Sequence, residues 1–204
     1  MARAFEELFA IRDAFSGIPM PGRTDAWILA DAAAAHGIPP GADTLGRFRD
    51  VYLAHLAEEL QQPGPRKGVM PGVRELLEAV ARRDDLYPAL LTGNYEEAAR
   101  LKLEYFDLWR YFACGAFGDD APDRNGLLPK ALSRVAECGG PKLPASASIV
   151  IGDTPLDIGC AQAGGARSMG VATGHYSVDQ LLAAGADVAL EDLSDTERVI
   201  ALLT

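Results

Sequence analysis

Two short stretches of this chain combine residue types that could handle a phosphate ester. The first is Leu90-Leu91-Thr92-Gly93-Asn94, an apolar run ending in a hydroxyl, a glycine and an amide. A hydroxyl beside free backbone N–H groups at a helix start suits phosphate oxygens, and a glycine lets the backbone approach a ligand closely. Taken alone, the same residues equally describe a threonine capping the next helix. The second stretch is Ile149-Val150-Ile151-Gly152-Asp153-Thr154-Pro155-Leu156-Asp157. Asp153 directly follows an apolar strand, Asp157 stands four residues on, and Pro155 between them suits the first turn of a helix. Two carboxylates facing one pocket fit Mg²⁺, a hard cation with oxygen ligands. The competing role is a helix cap at Asp153 with Asp157 supporting the first turn.

The composition narrows the ligand. The 204 residues carry a formal net charge of -10 and a pI near 4.7, with 49% hydrophobic and 24% charged residues. That is an ordinary soluble globular balance. An acidic surface argues against nucleic acid as a partner, yet a small phosphate ligand needs only a local positive site. No apolar run reaches transmembrane length and the first residues do not read as a signal peptide, so no membrane partner and a cytoplasmic setting are expected. Cys114, Cys138 and Cys160 show no CxxC spacing. An odd count without a framework predicts buried thiols in a reducing compartment.

The elements that must position these residues alternate in type. Residues 1–65 read as helical: Phe5, Leu8, Phe9 and Phe15 recur at helical spacing, Thr24 and Asp25 can start a helix ending near Gly37, and Leu45 to Leu60 form an amphipathic stretch. Gly and Pro break them at 17–22 and 39–41, and Gln61-Gln62-Pro63-Gly64-Pro65 is the candidate domain boundary. From 66 to 204, apolar runs at 86–91, 112–117, 147–151, 166–171 and 188–190 alternate with helical stretches. This predicts an α/β domain, a Rossmann-like parallel sheet with helices on both faces, carrying a small helical cap at 1–65. In such a sheet ligands bind at the carboxyl ends of the strands, where both motifs lie.

Gly152-Asp153-Thr154-Pro155-Leu156-Asp157, its continuation through Cys160 to Ala166 and Gly170 to Gly174, and Leu91-Thr92-Gly93-Asn94 together resemble the haloacid dehalogenase superfamily, in its phosphoglycolate-phosphatase-like branch. The resemblance implies that Thr92 binds the transferring phosphoryl group and that Asp153 and Asp157 hold Mg²⁺. It also implies a third motif with a cation near the phosphate. The usual Lys-Pro pair is absent, which leaves Arg124 or Lys130; Arg124 is favoured because it precedes the helix. Catalytic roles then fall to Thr92, Arg124 and Asp153, and substrate contacts to Thr92, Gly93, Asn94 and Arg23, the last on a cap loop. Lys102 is expected on a helix surface.

The resemblance also exposes a gap. The family's opening motif, an Asp-x-Asp after an apolar strand that supplies nucleophile and general acid–base, has no counterpart in this sequence. The chain is expected to begin inside the first cap helix, with the first core strand missing. A start placed too late or a shortened chain is favoured, since the other motifs are intact; a degenerate relative, or an acid borrowed from elsewhere, are the alternatives. Loss of that strand predicts a gap in the sheet, a replacement strand or a partner chain in the slot. The implied activity is Mg²⁺-dependent hydrolysis of a small phosphorylated metabolite through an aspartyl-phosphate, with this chain inactive for want of the nucleophile. Non-catalytic phosphate and cation binding, or 2-haloacid dehalogenation, are the other readings. Trp109, Tyr111 and Phe112 read chiefly as core, and a homo-oligomer through them is the alternative.

Overall fold

The computed structural model describes residues 1–39, 41–64 and 67–204. Pro40, Pro65 and Arg66 lie outside the described residues, and with them the middle of the 39–41 break and the end of the 61–65 boundary. The chain opens with α1 (Ala2–Phe9), α2 (Asp25–Ala35) and α3 (Ala42–Gln61). The first helix is shorter than the apolar spacing predicts. Ala10 turns left-handed at φ 55°, so Phe15 reaches Phe5 from the following turn, ring centroids 5.4 Å apart. Phe5, Leu29, Phe48 and Tyr52 close a core among these helices, and Tyr95 and Ala98 join it from the next unit.

That unit runs α4 (Val73–Val80), β1 (Leu90–Leu91), α5 (Glu96–Tyr105), β2 (Gly115–Ala116), α6 (Leu127–Glu137), β3 (Ile149–Gly152), α7 (Pro155–Gly164), β4 (Arg167–Val171), α8 (Val178–Ala183), β5 (Val188–Leu190) and α9 (Thr196–Leu203). All strand pairs are parallel. Helices cover both faces, as alternation along β4 shows. Met169 and Val171 pack with Leu76, Val80 and Val199 of α4 and α9, whereas a Cβ on Gly170 would lie 2.9 Å from Leu181 of α8.

The strands form two sheets, β1-β2 and β3-β4-β5. Among the described residues no ladder joins β1 to β3. Both lie under α6: Leu128 packs with Val150 and Cys160, Leu127 and Ala131 pack with Ala116, and Leu91 touches both groups. Ile151, in the middle of β3, stays 39% exposed although it sits in an apolar strand. Between β1 and β3 each sheet therefore presents an edge without a ladder partner among the described residues.

Two expectations need correction. Only Cys160 is buried; Cys114 is half-buried and Cys138, at the C-terminal end of α6, is exposed. The strand expected at 86–91 is ordered as a ladder only at Leu90–Leu91, since Pro88 has no N–H to give a ladder. Among the described residues no helix is long and apolar enough to cross a membrane.

Candidate active site

β1 delivers Thr92 to the carboxyl end of its sheet, where Thr92 N–H still pairs with Ala116 O at 3.0 Å. The Thr92 hydroxyl accepts from Asn94 N–H at 3.2 Å, which leaves its own proton free to donate. It does not cap α5. That helix is capped by carboxylates from elsewhere: Asp25 accepts from Tyr95 N–H at 2.9 Å and Asp119 from Glu96 N–H at 2.8 Å. Negative charge at a helix N-terminus is favourable there, and these bonds use N–H groups that could otherwise have met a phosphate. Gly93 is required by a close approach. A Cβ on it would stand 2.3 Å from Arg23 O, and Gly93 O accepts from Asp25 N–H at 2.7 Å.

β3 delivers Asp153 in the same way. Thr154 and Asp157 form a capping box at the start of α7, with Thr154 N–H and hydroxyl donating to Asp157 Oδ2 at 3.0 and 2.7 Å. Asp157 Oδ1 pairs with Arg124, whose Nη1 donates to Gly22 O at 3.1 Å. Gly152 makes room for this carboxylate, since a Cβ there would lie 2.1 Å from Asp157 Cγ. Asp157 therefore has both oxygens engaged, one on the first turn of α7 and one on Arg124. Asp153 has no ion pair among the described residues. Burial, then the neighbouring Asp157, raise its carboxyl above the usual range.

One cavity of about 690 Å³ is bordered by Thr92, Gly93, Asn94, Arg23, Arg124, Asp153 and Asp157. Thr92, Gly93, Asn94, Arg23, Arg124, Asp153 and Asp157 thus border a single space, and Lys130 does not. Their freedom differs. Arg23 is tied within the first helices, paired with Asp31 at 2.7 Å and lying 3.8 Å over the Trp27 ring. Asn94 Oδ1 accepts from Lys102 Nζ at 2.8 Å and its Nδ2 donates to Asp25 at 3.4 Å, so its amide bridges rather than reaches into the space. Lys130 is exposed on α6, which leaves Arg124 as the basic residue beside Asp157.

Sequence reasoning missed two wall residues. Lys102, expected on a surface, is half-buried on the cavity wall, and burial lowers its ammonium below the usual lysine range despite Asp25 nearby. Asp25 is 4% exposed, and burial raises its carboxyl in spite of its hydrogen bonds. The signal for Lys102 was its placement two turns after Asn94, which brings it back over the loop. His175 stands exposed at the rim next to Gly174, where a Cβ would meet Asp153 Oδ2 at 2.1 Å.

This geometry can be compared with known proteins. A HAD-hydrolase-like family model matches residues 124–196, the span from the arginine through both carboxylates. Over that span the chain is similar to the haloacid-dehalogenase-like hydrolases. A curated phosphoglycolate phosphatase of Pseudomonas fluorescens (strain Pf0-1) is 29% identical over 125 residues, 61% of this chain. That match spans only 44% of the relative's length. Among solved structures, a predicted phosphoglycolate phosphatase from Haemophilus somnus 129PT superposes with TM-score 0.68 at 17% identity, covering 98% of this chain and 88% of that one. A hydrolase from Pseudomonas syringae gives 0.66 at 20%, covering 98% and 90%. CbbY from Rhodobacter sphaeroides, solved in complex with phosphate, gives 0.65 at 19%, covering 95% and 87%. At these identities the structures speak to the fold, which is the α/β architecture described above.

Proposed function

We propose that this chain binds the phosphoryl group of a small phosphate monoester together with Mg²⁺, as the receptor half of a phosphatase site. Convergence carries the reading: Thr92 from one sheet, and Arg124 and Asp153 beside the other, border a single cavity. Mg²⁺ needs few protein oxygens, commonly one or two carboxylates completed by water and phosphate. Asp153 fits that donor set, being an oxygen ligand without a cation of its own among the described residues. Asp157 is committed to Thr154 and Arg124, so it orients the turn and the arginine. When bound, the metal supplies neutralisation of phosphoryl charge.

The chain's own groups do the rest. The Thr92 hydroxyl donates to a phosphoryl oxygen, Arg124 presents its guanidinium edge, and Lys102 adds a cation whose one hydrogen-bond acceptor among the described residues is Asn94. Positioning and charge neutralisation of this kind are the main protein contributions to phosphoryl transfer. Residues 1–65 act as the cap that covers the site and selects the ester. Phosphoglycolate, named for the curated relative, is a fitting candidate ester.

Three carboxylates line the cavity among the described residues, and none is placed as a free nucleophile. Asp25 is held by Tyr95 and Asn94, Asp157 by Thr154 and Arg124, and Asp153 serves the cation. This sequence therefore binds phosphate esters without turning them over. p-Nitrophenyl phosphate assays with and without Mg²⁺, alongside equilibrium dialysis of inorganic phosphate, test this. Retained phosphate with no turnover is expected. Sustained turnover would refute the binding-only reading, and no phosphate retention would refute the receptor itself.

A further inference from the structure

The turn that aims the Thr92 hydroxyl is braced by an arginine from the first helices. The hydroxyl accepts from Asn94 N–H, so its direction depends on how the chain runs from Gly93 into α5. The loop after β2 lies directly on that turn. Gly118 N–H donates to Asn94 O at 2.7 Å, and a Cβ on Gly118 would stand 2.1 Å from Gly93 O. The next residue, Asp119, divides its carboxylate. Its Oδ2 accepts from Glu96 N–H at 2.8 Å, and its Oδ1 accepts from Arg49 Nη1 at 2.7 Å. Arg49 Nη2 pairs with Glu97 in the first turn of α5, and the guanidinium lies 5.2 Å over the Tyr95 ring. One side chain of α3 thus meets Tyr95, Glu97 and Asp119. α3 is itself fixed by Phe48 and Tyr52, which are buried in one core with Tyr95 and Ala98.

We propose that Arg49 is a positioning residue for the phosphoryl site: by clamping Asp119 and Glu97 it fixes the Thr92-Gly93-Asn94 turn and couples the first helices to phosphate binding. The start of α5 is crowded with acids. Asp25 and Asp119 accept from its first N–H groups, and Glu96 and Glu97 belong to its first turn. A helix N-terminus favours negative charge, but the same charge stands beside the turn that receives a phosphate. Arg49 offsets two of these acids at once. Its planar fork donates in two fixed directions, which the point charge of a lysine does not do. The hydrogen bond from Arg49 accordingly holds the Glu97 carboxyl below its usual range. The Arg49 and Asp119 side chains are 31% and 27% exposed, so water screens the pair in part, and its role is to order the turn more than to stabilise the fold. Without the guanidinium, Asp119 is free to leave Glu96 N–H, and the start of α5 loosens where Asn94 N–H meets the Thr92 hydroxyl. The phosphate consequence rests on the receptor reading above; the clamp on the turn does not.

Equilibrium dialysis of inorganic phosphate compares the wild type with Arg49→Lys, Arg49→Met, Thr92→Val and the Arg49→Met, Thr92→Val double variant. NMR amide exchange without phosphate follows Tyr95 and Glu96 in the same chains. Arg49→Met should weaken phosphate binding by about fivefold or more, the low end of couplings between sites, with Arg49→Lys in between. It should cost little further in the Thr92→Val background, because the clamp acts through that turn. Glu96 N–H should exchange faster in Arg49→Met, whereas Tyr95 N–H, held by Asp25, should keep its rate. Equal phosphate affinity in wild type and Arg49→Met, full additivity with Thr92→Val, or equal acceleration of both amides would overturn the proposal, the last by showing general loosening. A wild type that retains no phosphate sinks the receptor reading, and the two amides alone then decide whether Arg49 holds the turn. Arg49→Lys, which keeps the charge, supplies the same comparison should Arg49→Met not fold.

Discussion

Removing the Arg124 guanidinium should destabilise the fold far more than removing any surface arginine. The Arg124 and Asp157 side chains are 12% and 5% exposed, so solvent screens their pairing weakly. Unit charges about 4 Å apart at an effective dielectric near 20 attract by about 4 kcal/mol. Net worth is smaller, because both ions are desolvated and Arg124 Nε is buried without a partner among the described residues. Breaking the pair is another matter, since Asp157 is then a buried carboxylate held, among the described residues, by Thr154 alone. Arg124→Met is expected to lower the unfolding free energy by about 3 kcal/mol, from the range seen for broken buried pairs, with about 1 kcal/mol more from the lost bond to Gly22 O. Asp157→Asn combined with Arg124→Met should recover about 2 kcal/mol of that, because no unpaired charge remains. Urea unfolding followed by Trp27 and Trp109 fluorescence gives the full cycle. A single-variant loss below about 1 kcal/mol, the range of exposed pairs, or strictly additive effects, would show that the pair is solvated and the site is not built as described.

Other outcomes follow from the same contacts. Gly152→Ala places a Cβ 2.1 Å from Asp157 Cγ, which Thr154 and Arg124 hold in place; a loss of about 2 kcal/mol is expected by denaturation, as for an overpacked core. Asp25 and Asp153 carry carboxyls raised in the folded chain, chiefly by burial, so the folded state holds those protons more tightly than the unfolded one. Thermal stability should therefore fall as pH rises from the ordinary carboxylate range through the raised values, and Asp25→Asn should flatten that slope in a Tm-against-pH series. Lys102→Met lifts the burial cost of an ammonium whose proton affinity is lowered in the fold, so at neutral pH it should leave Tm equal or higher while phosphate affinity drops in a dialysis assay.

Much of the site was legible because its signals are local. Asp153 after an apolar strand and Thr92 after Leu90-Leu91 announce strand ends, and parallel strands bring such ends to one edge. The position of Arg124 before α6 distinguishes it from Lys130, and it alone of the two stands beside Asp157. What escaped the sequence is tertiary. Asp25 reads as an N-terminal helix residue, yet its carboxylate caps α5, which starts 71 positions later. Lys102 reads as an exposed helical lysine, and only the packing of α5 against the first helices turns it to the cavity. Asn94 reads as a ligand group, but its amide is consumed by these two residues. The exposure of Cys138 was equally hidden, because it depends on where α6 ends.

Calorimetric titration of inorganic phosphate, with and without Mg²⁺, into the wild-type chain and the Asp153→Asn and Thr92→Val variants measures whether Thr92 and Asp153 form one phosphate and Mg²⁺ site. Phosphate binding should be strengthened by Mg²⁺ in the wild type, lose the Mg²⁺ effect in Asp153→Asn, and be weaker in Thr92→Val at every Mg²⁺ concentration. Phosphate binding that ignores Mg²⁺ and is the same in all three proteins would contradict such a site.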